Sequence, residues 1–280
     1  MKTIEFNTFS IGPAKPLVLI AGPCVIENEE IVMRTAGSVK EIADRLGMPY
    51  ILKSSYTKDN RSSSSNFQGP GLDQGLKILS KAKERFGIPV LSDVHNPSEV
   101  AAAAEVLDII QIPAYLCMQT SLVRAAAQTG RTINVKKGQF LAPGDMANVI
   151  GKIEAEGNHR ILLTERGTFF GYHNLVVDMR SLVILQGLGY PVVIDPTHAI
   201  RVYGLPSSDP RGGNPEYVPA LARAAVAAGC QAVFIETHPN CAEALCDAAS
   251  MWPLQRLENL LVQLVEIHER RLQLESKWPA

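Results

Sequence analysis

Short runs of apolar, mostly β-branched residues recur along the chain and alternate with segments whose apolar positions have helical spacing. The runs are apolar at nearly every position, which is typical of strands that are covered on both faces. Eight runs predict eight strands, at residues 17–22, 49–54, 89–94, 107–112, 131–136, 160–165, 191–196 and 231–236. Helices are predicted at residues 28–47, 72–86, 97–105, 119–129, 143–157, 215–229, 241–250 and 253–273.

Strands that alternate with helices pair in parallel through right-handed crossovers. Eight such units predict an α/β fold of the (β/α)8 TIM-barrel type, as one domain over residues 1–280, with a short N-terminal extension at residues 1–15 over one end of the barrel. The alternative is an open doubly wound sheet, which usually has a glycine-rich dinucleotide loop after its first strand. The loop here reads Gly22-Pro23-Cys24 and lacks that pattern, so the barrel is favoured.

Composition and charge indicate which binding partners and which cellular compartment are expected. The chain has 280 residues, of which 46% are hydrophobic, and its formal net charge is −1. The basic residues are spread along the chain, so neither a nucleic-acid partner nor a membrane partner is expected. The odd number of cysteines, five, argues against a disulfide framework. The N-terminal 15 residues have no long apolar stretch and do not resemble a signal peptide, so a cytoplasmic protein is expected. Cys117 and Cys230 are expected to be buried as small hydrophobic side chains.

The most informative pattern is the position of the polar residues. In a barrel of this type the active site lies at the C-terminal ends of the strands. Each predicted strand ends in an ionisable or amide side chain, and the set comprises Cys24, Lys53, Asp93 with His95, Gln111, Lys136 with Lys137, Glu165 with Arg166, Asp195 with His198, and Glu236 with His238. Strands that lead into polar loops explain one or two of these residues but not the whole ring.

Five cations are expected to face this site, namely Lys53, Lys58, Arg61, Lys136 and Arg166. Arginine offers a planar fork for phosphate or carboxylate, and lysine offers a point charge. So many cations require more than one anionic group for balance. The segment 53–65 also has the hydroxyl and backbone donors of a sugar-phosphate site, although its composition fits a solvated loop equally well. The pattern therefore predicts a site for anionic ligands.

A metal site is a second possibility. Cys24, His198, Glu236 and Asp247 offer a thiolate, an imidazole and two carboxylates, a set that suits zinc or another borderline divalent ion. Their spacing is too long to form a motif, and taken alone it fits a buried thiol and unrelated polar residues better. His268, in the last predicted helix, is expected on a solvated face.

Several long segments give the chain a family resemblance. It resembles the 3-deoxy-D-manno-octulosonate 8-phosphate synthases, also called 2-dehydro-3-deoxyphosphooctonate aldolases, over essentially its full length. The segments are IAGPCVIE (20–27), LKSSYTKDNRSS (52–63), IIQIPAYLC (109–117), INVKKGQFLAPGD (133–145), LTERGTFFGYHNLVVDMRS (163–181), DPTHAI (195–200) and IETHP (235–239). The resemblance implies a (β/α)8 barrel, usually a homotetramer, that condenses phosphoenolpyruvate with D-arabinose 5-phosphate, releases phosphate and serves lipopolysaccharide biosynthesis.

The resemblance also implies roles for individual residues. The first-strand cysteine is typical of the metal-dependent branch, whose divalent ion is zinc, iron, manganese, cobalt or cadmium. The implied ligands are Cys24, His198, Glu236 and Asp247. The implied phosphoenolpyruvate-binding residues are Lys53, Lys58, Lys136 and Arg166, to which the strand-end position adds Gln111. The implied pentose phosphate-binding residues are Asn60, Arg61 and Ser62, and the candidates for proton transfer or other catalytic roles are His198, Asp247 and Lys136.

Three alternatives remain open from the residues. A heptulosonate 7-phosphate synthase, which uses erythrose 4-phosphate, shares the Gly-Pro-Cys loop, but its second-strand loop resembles Lys-Pro-Arg-Thr rather than the Lys58-Asp59-Asn60-Arg61 found here. A Schiff-base aldolase would use Lys53 or Lys136 as its nucleophile. A barrel without turnover would bind a sugar phosphate as a sensor. The chain also departs from the resemblance at Asp59, usually alanine, and at Met118, usually an arginine that reaches the neighbouring subunit.

Overall fold

The predicted strands form a closed parallel barrel in the computed structural model, which describes residues 1–59, 66–169, 173–205 and 209–277. Each strand pairs with the next, and the last strand pairs with both the seventh and the first. The strands are β1 (Val18–Gly22), β2 (Tyr50–Lys53), β3 (Val90–Asp93), β4 (Ile109–Ile112), β5 (Thr132–Lys136), β6 (Ile161–Glu165), β7 (Val192–Ile194) and β8 (Ala232–His238). The prediction of a (β/α)8 TIM barrel is confirmed.

Two apolar layers explain why the strands are apolar at nearly every position. Successive residues of a strand point to opposite faces of the sheet. In β1, Val18 and Ile20 belong to the cluster inside the barrel, with Phe234 among its members. Leu19 and Ala21 belong to the larger cluster between the sheet and the helices. Because both faces of the sheet are buried, every position of the strand favours an apolar side chain.

The helices surround the barrel. They are α1 (Glu29–Arg45), α2 (Leu72–Phe86), α3 (Val100–Val106), α4 (Thr120–Gln128), α5 (Met146–Glu154), α6 (Arg180–Gly187), α7 (Pro196–Ala199), α8 (Val218–Ala227) and α9 (Leu257–Lys277). The ends of α1 and α2 follow local rules. Asn28 caps α1 by accepting a hydrogen bond from the Ile31 backbone N–H. Gly87 ends α2 in the left-handed conformation, with φ of 61°, which glycine adopts without steric cost.

The helices differ from the predictions at the segment 241–250, at α6 and at α7, a four-residue helix that was not predicted. The helix predicted at 241–250 is wrong: this segment has one 3-10 turn, Cys241–Glu243, followed by turns. Asp247 has φ of 51°, which breaks a helical path. Helix α6 was not predicted. It has only eight residues and exposes Val183 and Ile184, so its sequence has no clear apolar stripe.

The N-terminal extension covers the end of the barrel opposite the strand C-termini. Two short strands, Ile4–Glu5 and Ser10–Ile11, pair as an antiparallel hairpin. Ile4 and Ile11 pack into the cluster inside the barrel. The Lys2 backbone N–H donates to Gly189 O, in the turn before β7. The barrel is therefore closed at its N-terminal end by apolar side chains.

The solvent exposure of two cysteines and one histidine tests three further predictions. Cys117 and Cys230 are buried, as predicted. His268 is not solvated: it is 4% exposed, and its Nε2 atom lies 2.9 Å from the Lys15 carbonyl oxygen, so it joins the last helix to the segment before β1. Among the described residues, no helix is both long and apolar enough to cross a bilayer.

Candidate active site and metal centre

Buried charged side chains meet at the C-terminal ends of the barrel strands. Parallel strands of a closed barrel deliver the side chains at their C-terminal ends to the same end of the barrel. The buried members of this group are Cys24, Lys53, Lys58, Asp93, Lys136, Arg166, Asp195, His198, Glu236 and Asp247. Charged side chains are seldom buried unless they are paired or bind something. The site predicted from the strand ends is therefore present as a cluster.

The four predicted metal ligands fall into two groups that share Asp247. One group comprises His198, Glu236 and Asp247, and the other comprises Cys24, Cys246 and Asp247; within each group the ligand atoms lie within 4.8 Å of one another. Cys246 was missed by the sequence analysis. The only signal for it in the sequence is that it directly precedes Asp247.

The spacing within these groups fits a shared cation. His198 Nε2 lies 3.6 Å from Glu236 Oε2 and 3.8 Å from Asp247 Oδ2. Cys24 Sγ lies 3.4 Å from Asp247 Oδ2. Two ligands of one tetrahedral zinc ion lie ~3.3–3.8 Å apart, given bonds of about 2.0–2.3 Å. The donor atoms that are present fit a divalent ion.

Asp195 orients the imidazole of His198. The Nδ1 atom of His198 lies 2.7 Å from Asp195 Oδ2, and the other Asp195 oxygen accepts from the His198 backbone N–H. Burial, reinforced by the nearby Lys136 ammonium, lowers the pKa of His198 despite the opposing effect of Asp195. A neutral imidazole whose Nδ1 faces a carboxylate presents Nε2 as a ligand, which is the usual arrangement behind a metal-binding histidine.

Glu236 connects the candidate metal ligands to the cations. Its Oε1 atom lies 2.6 Å from Lys53 Nζ and 3.8 Å from Lys58 Nζ, whereas its Oε2 atom faces His198. Burial opposes ionisation of Glu236, but Lys53, His198 and Lys58 outweigh this effect and lower its pKa to about 2. Lys53 also donates to the Cys24 carbonyl oxygen at 2.8 Å. The candidate metal ligands are thus in direct contact with the lysine ammonium groups of the site.

Asp93 balances the cations on the other side. Its Oδ2 atom lies 3.7 Å from Lys58 Nζ, and its Oδ1 atom accepts from Gln111 at 2.5 Å. Burial alone would raise the pKa of Asp93, but Lys58, Lys53 and Lys136 outweigh it and hold that pKa well below its usual range. Asp93 is therefore ionised in the folded protein.

Asp93→Asn is expected to make protein stability less dependent on pH. The folded-state pKa is depressed, so the carboxylate stabilises the fold above the usual aspartate pKa and loses this contribution as the pH falls through the folded-state value. The variant should be about 3 kcal/mol less stable at neutral pH, and the difference should shrink in acid. Urea unfolding at neutral and acidic pH measures both. The exposed Asp73→Asn should match wild type, and a pH-independent deficit in Asp93→Asn would contradict the prediction.

Lys136 lies near the centre of the site. Its Nζ atom is 2.7 Å from Asp195 Oδ2 and 3.9 Å from the centre of the Phe234 ring. The ring is part of the apolar cluster inside the barrel, and a cation over an aromatic face is stabilised by the ring quadrupole. Lys136 is therefore held rigidly as a charge at the top of the barrel interior.

Arg166 is a buried cation whose hydrogen-bonding capacity is not filled by the described residues. It is 4% exposed, yet its Nε and Nη1 atoms have no hydrogen-bond acceptor among the described residues. Its guanidinium lies 5.7 Å from the ring centre of Tyr203. The guanidinium of Arg201 lies 5.9 Å from the centre of the same ring. Buried donors without acceptors are costly. An anionic ligand would satisfy them.

Arg201 is a further residue that sequence reasoning missed. Its Nη1 atom donates to Asp247 Oδ1, so Asp247 keeps its other oxygen for Cys24 and His198. Burial would lower the pKa of Arg201, but Asp247 and other nearby groups raise it. The signal in the sequence is weak, since Arg201 comes three residues after His198 in a loop with other polar residues.

Gln111 joins a chain of amide hydrogen bonds across the barrel. Asn134 Nδ2 donates to Gln111 Oε1 at 2.8 Å, and Thr164 Oγ1 donates to Asn134 Oδ1 at 2.7 Å. With the bond from Gln111 to Asp93, the chain links strands β3 to β6. Gln111 thus fixes the Asp93 carboxylate, and its predicted contact with substrate stays a prediction.

Lys137, the neighbour of Lys136, has its ammonium group in a different environment. Its Nζ atom lies 2.9 Å from Thr168 Oγ1, donates to the carbonyl oxygens of Gly138 and Leu141, and lies 3.6 Å from Glu165 Oε1. Burial lowers the pKa of Lys137, which Glu165 opposes. These contacts connect the loops that follow β5 and β6, so Lys137 has a structural role.

Lys137→Met is expected to lower the free energy of unfolding by about 3 kcal/mol, because it leaves a buried carboxylate and several carbonyl groups without their cation. Urea denaturation measures the loss. The exposed Lys77→Met serves as the control and should behave like wild type. A loss below about 1 kcal/mol for Lys137→Met would show that surrounding groups or water replace the ammonium.

The residues predicted to bind the pentose phosphate, Asn60, Arg61 and Ser62, lie outside the described residues. Lys58, on the segment that leads to them, is buried and faces Asp93 and Glu236. The other predicted site residues described by the structure all belong to the buried network or border it.

Known proteins match almost the whole chain. The model of the DAHP synthetase I family matches residues 2–273. The chain belongs to the DAHP synthetase I family. Several members of this family are similar over nearly their full length and share one name, 2-dehydro-3-deoxyphosphooctonate aldolase. The relative from Trichlorobacter lovleyi is 54% identical over 263 residues, which cover 94% of this chain and 96% of that protein.

Two further relatives agree. The protein from Acidithiobacillus ferrooxidans is 52% identical and the alignment covers 90% of each chain. The protein from Protochlamydia amoebophila is 50% identical, over 96% of this chain and 98% of that protein. Both carry the same name as the Trichlorobacter protein. The family resemblance drawn from the sequence motifs is therefore confirmed.

Proposed function

We propose that this member of the DAHP synthetase I family condenses phosphoenolpyruvate with D-arabinose 5-phosphate and water, giving 3-deoxy-D-manno-octulosonate 8-phosphate and phosphate. The observation that carries the proposal is the cluster of buried cations at the barrel end, above all Arg166, whose Nε and Nη1 atoms have no acceptor in the part of the chain that the structure describes. The phosphate or carboxylate group of a substrate would supply the acceptors for these Arg166 donors. The shared name of the relatives favours this reaction over the heptulosonate alternative.

Phosphoenolpyruvate is assigned to the cations Lys53, Lys58, Lys136 and Arg166. Arg166 matches a phosphate or carboxylate with its planar fork. The lysines already have carboxylate partners, so their side chains are held in place before the substrate binds. Preorganised charge of this kind stabilises developing negative charge without further reorganisation. The aldose phosphate is assigned to Asn60, Arg61 and Ser62, on the basis of the family motif.

The reaction needs two bonds to form at phosphoenolpyruvate. Its methylene carbon attacks the aldehyde carbon, and water adds to its C2 atom; the resulting hemiketal phosphate then releases inorganic phosphate. Holding the two substrates together supplies roughly 7–11 kcal/mol of the barrel's catalytic effect. In this proposal Lys136, which pairs with Asp195, holds a proton for the leaving phosphate, and His198 and Asp247 are the other candidates for moving protons.

A divalent metal ion is part of the proposal. Cys24, His198, Glu236 and Asp247 would hold zinc, iron, manganese, cobalt or cadmium. Burial, together with Cys246 and Asp247, raises the pKa of the Cys24 thiol, so a bound cation is what favours its thiolate. When bound, such an ion polarises an oxygen of the substrate or orients water.

Phosphate release tests the proposed reaction. The full-length protein is assayed with phosphoenolpyruvate and, in turn, arabinose 5-phosphate, ribose 5-phosphate and erythrose 4-phosphate, each with and without EDTA. We expect the highest kcat/KM with arabinose 5-phosphate and loss of activity in EDTA. Faster release with erythrose 4-phosphate would favour the heptulosonate alternative. Absence of aldose-dependent release would favour a sugar-phosphate sensor.

A Schiff-base aldolase is disfavoured by the ion pairs of both candidate nucleophiles. Lys53 and Lys136 lie 2.6 and 2.7 Å from carboxylate oxygens, so either lysine would have to leave a buried ion pair before it could attack a carbonyl group. Borohydride trapping with substrate tests this alternative, which predicts a covalent adduct. We also propose a cytoplasmic homotetramer, in line with the family resemblance, and sedimentation velocity measures the subunit number.

A further inference from the structure

A second buried thiol lies beside Cys24, on the loop that carries Asp247. The Sγ atoms of Cys24 and Cys246 are 3.0 Å apart, and Cys246 is 2% exposed. The ligand atoms of Cys24, Cys246 and Asp247 lie within 4.8 Å of one another. None of the roles proposed above uses Cys246.

We infer that Cys246 supplies a second thiolate to the cation that Cys24 and Asp247 hold, an inference that rests on the metal centre of the proposed function. Asp247 Oδ2 connects the two groups of ligands, since it lies 3.4 Å from Cys24 Sγ and 3.8 Å from His198 Nε2. A cation bound to this oxygen lies within reach of both sulfur atoms. The centre then has five candidate donors, of which two are sulfur.

The distance between the two thiols is compatible with a shared ion. Two sulfur atoms on one tetrahedral zinc ion lie ~3.7 Å apart, given bonds of about 2.3 Å. The thiols therefore need to separate by less than about 1 Å, which side-chain rotation can supply. On binding, each thiol loses its proton and the sulfur donates an electron pair to the metal, so two protons are released for two sulfur–metal bonds.

Packing is the competing explanation for Cys246. Cys24 and Cys246 belong to a small apolar cluster with Val25 and Met251, and Cys241 packs at its edge. Buried cysteine often serves as a small hydrophobic side chain. A packing role predicts that removal of the Cys246 sulfur leaves the spectrum of the bound metal unchanged. A ligand role predicts that the spectrum changes.

A second thiolate would also change which ion the centre prefers. Thiolates favour soft or borderline ions, whereas carboxylates and water suit manganese and magnesium. With two sulfur donors we expect selection of cadmium and zinc over manganese. Cys246→Ser should reduce the preference for cadmium over manganese at least tenfold in a competition measured on the purified protein.

Cobalt provides a direct spectroscopic test. The full-length protein is stripped of metal, kept under a thiol-free reductant to prevent disulfide formation, and loaded with excess Co²⁺. Sulfur-to-cobalt charge-transfer absorption reports the number of thiolates. Cys246→Ser and Cys24→Ser should each retain about half of the wild-type absorption, and the double variant should have none.

The matched control is Cys241→Ser. Cys241 packs against the same apolar cluster, but its Sγ atom faces the carbonyl oxygens of His238 and Met251 rather than the ligand group. This variant should keep the full charge-transfer absorption. If Cys246→Ser also keeps it while Cys24→Ser loses it all, Cys246 is a packing residue and the inference is overturned.

X-ray absorption of the zinc-loaded wild-type protein gives a result that does not depend on any variant. Two sulfur atoms in the first coordination shell support the inference, and one or none overturns it. The aldose-dependent release of phosphate is measured on the same sample. Activity with a single sulfur ligand leaves the proposed reaction intact, whereas two sulfur ligands without activity would contradict the proposed reaction and not the ligand role of Cys246.

Discussion

Cys24→Ala is expected to lower kcat/KM for phosphate release by about a thousandfold, which corresponds to about 4 kcal/mol of lost transition-state stabilisation. The reason is that Cys24 Sγ lies 3.4 Å from Asp247 Oδ2, so the substitution removes a sulfur atom that would hold the ion together with Asp247. The variant dialysed against metal-free buffer should also retain little metal, as measured by elemental analysis.

The control for this substitution is Cys230→Ala. Cys230 is equally buried but lies before β8, where burial raises the pKa of its thiol to about 12, and it is not part of either ligand group. It should keep its metal and its activity. Full activity of Cys24→Ala in the presence of a chelator would reject the assignment of a required metal ion.

Lys136→Met is expected to reduce kcat/KM for phosphoenolpyruvate by about a thousandfold as well. Removal of one partner from a buried, charge-assisted contact costs about 4 kcal/mol, and Lys136 is held in place by Asp195 and the Phe234 ring. Steady-state kinetics with arabinose 5-phosphate saturating measures the effect. A change of less than about tenfold would show that Lys136 serves Asp195 alone.

Lys81→Met is the matched control for Lys136→Met. Lys81 also pairs with a carboxylate, at 2.8 Å from Glu29, but its side chain is 59% exposed. Exposed ion pairs contribute little, so this variant should keep wild-type kinetics. Lys137→Met distinguishes the two adjacent lysines further. That variant should be less stable, because Lys137 connects two loops, and its effect should not come from the loss of a contact with substrate.

The barrel was predictable from the sequence because its strands are buried on both faces. A run such as Val18–Gly22 has an apolar residue for the barrel interior and another for the helix layer at successive positions. This pattern does not depend on distant residues. Helix α6 and the segment after β8 were not predictable in the same way, because their conformations depend on contacts made only in the folded chain, such as that between Arg201 and Asp247.

The candidate site was predictable as a set of residue types but not as a network. The strand ends identified Lys53, Lys136 and Glu236, since chain topology alone brings them to one end of the barrel. The sequence analysis did expect Lys136, and not Lys137, to face the site, and the structure gives the two ammonium groups different environments. Cys246 was not predictable, because its approach to Cys24 depends on the turn at Asp247.

The N-terminal hairpin limits how substrates can enter the barrel and how products can leave it. Ile4 and Ile11 pack into the barrel from the end opposite the candidate site, so among the described residues apolar side chains close that end of the barrel. Both phosphorylated substrates and both products of the proposed reaction must therefore use the same opening, at the C-terminal ends of the strands. The substrate that binds deeper has to bind first, and the product that lies deeper has to leave last.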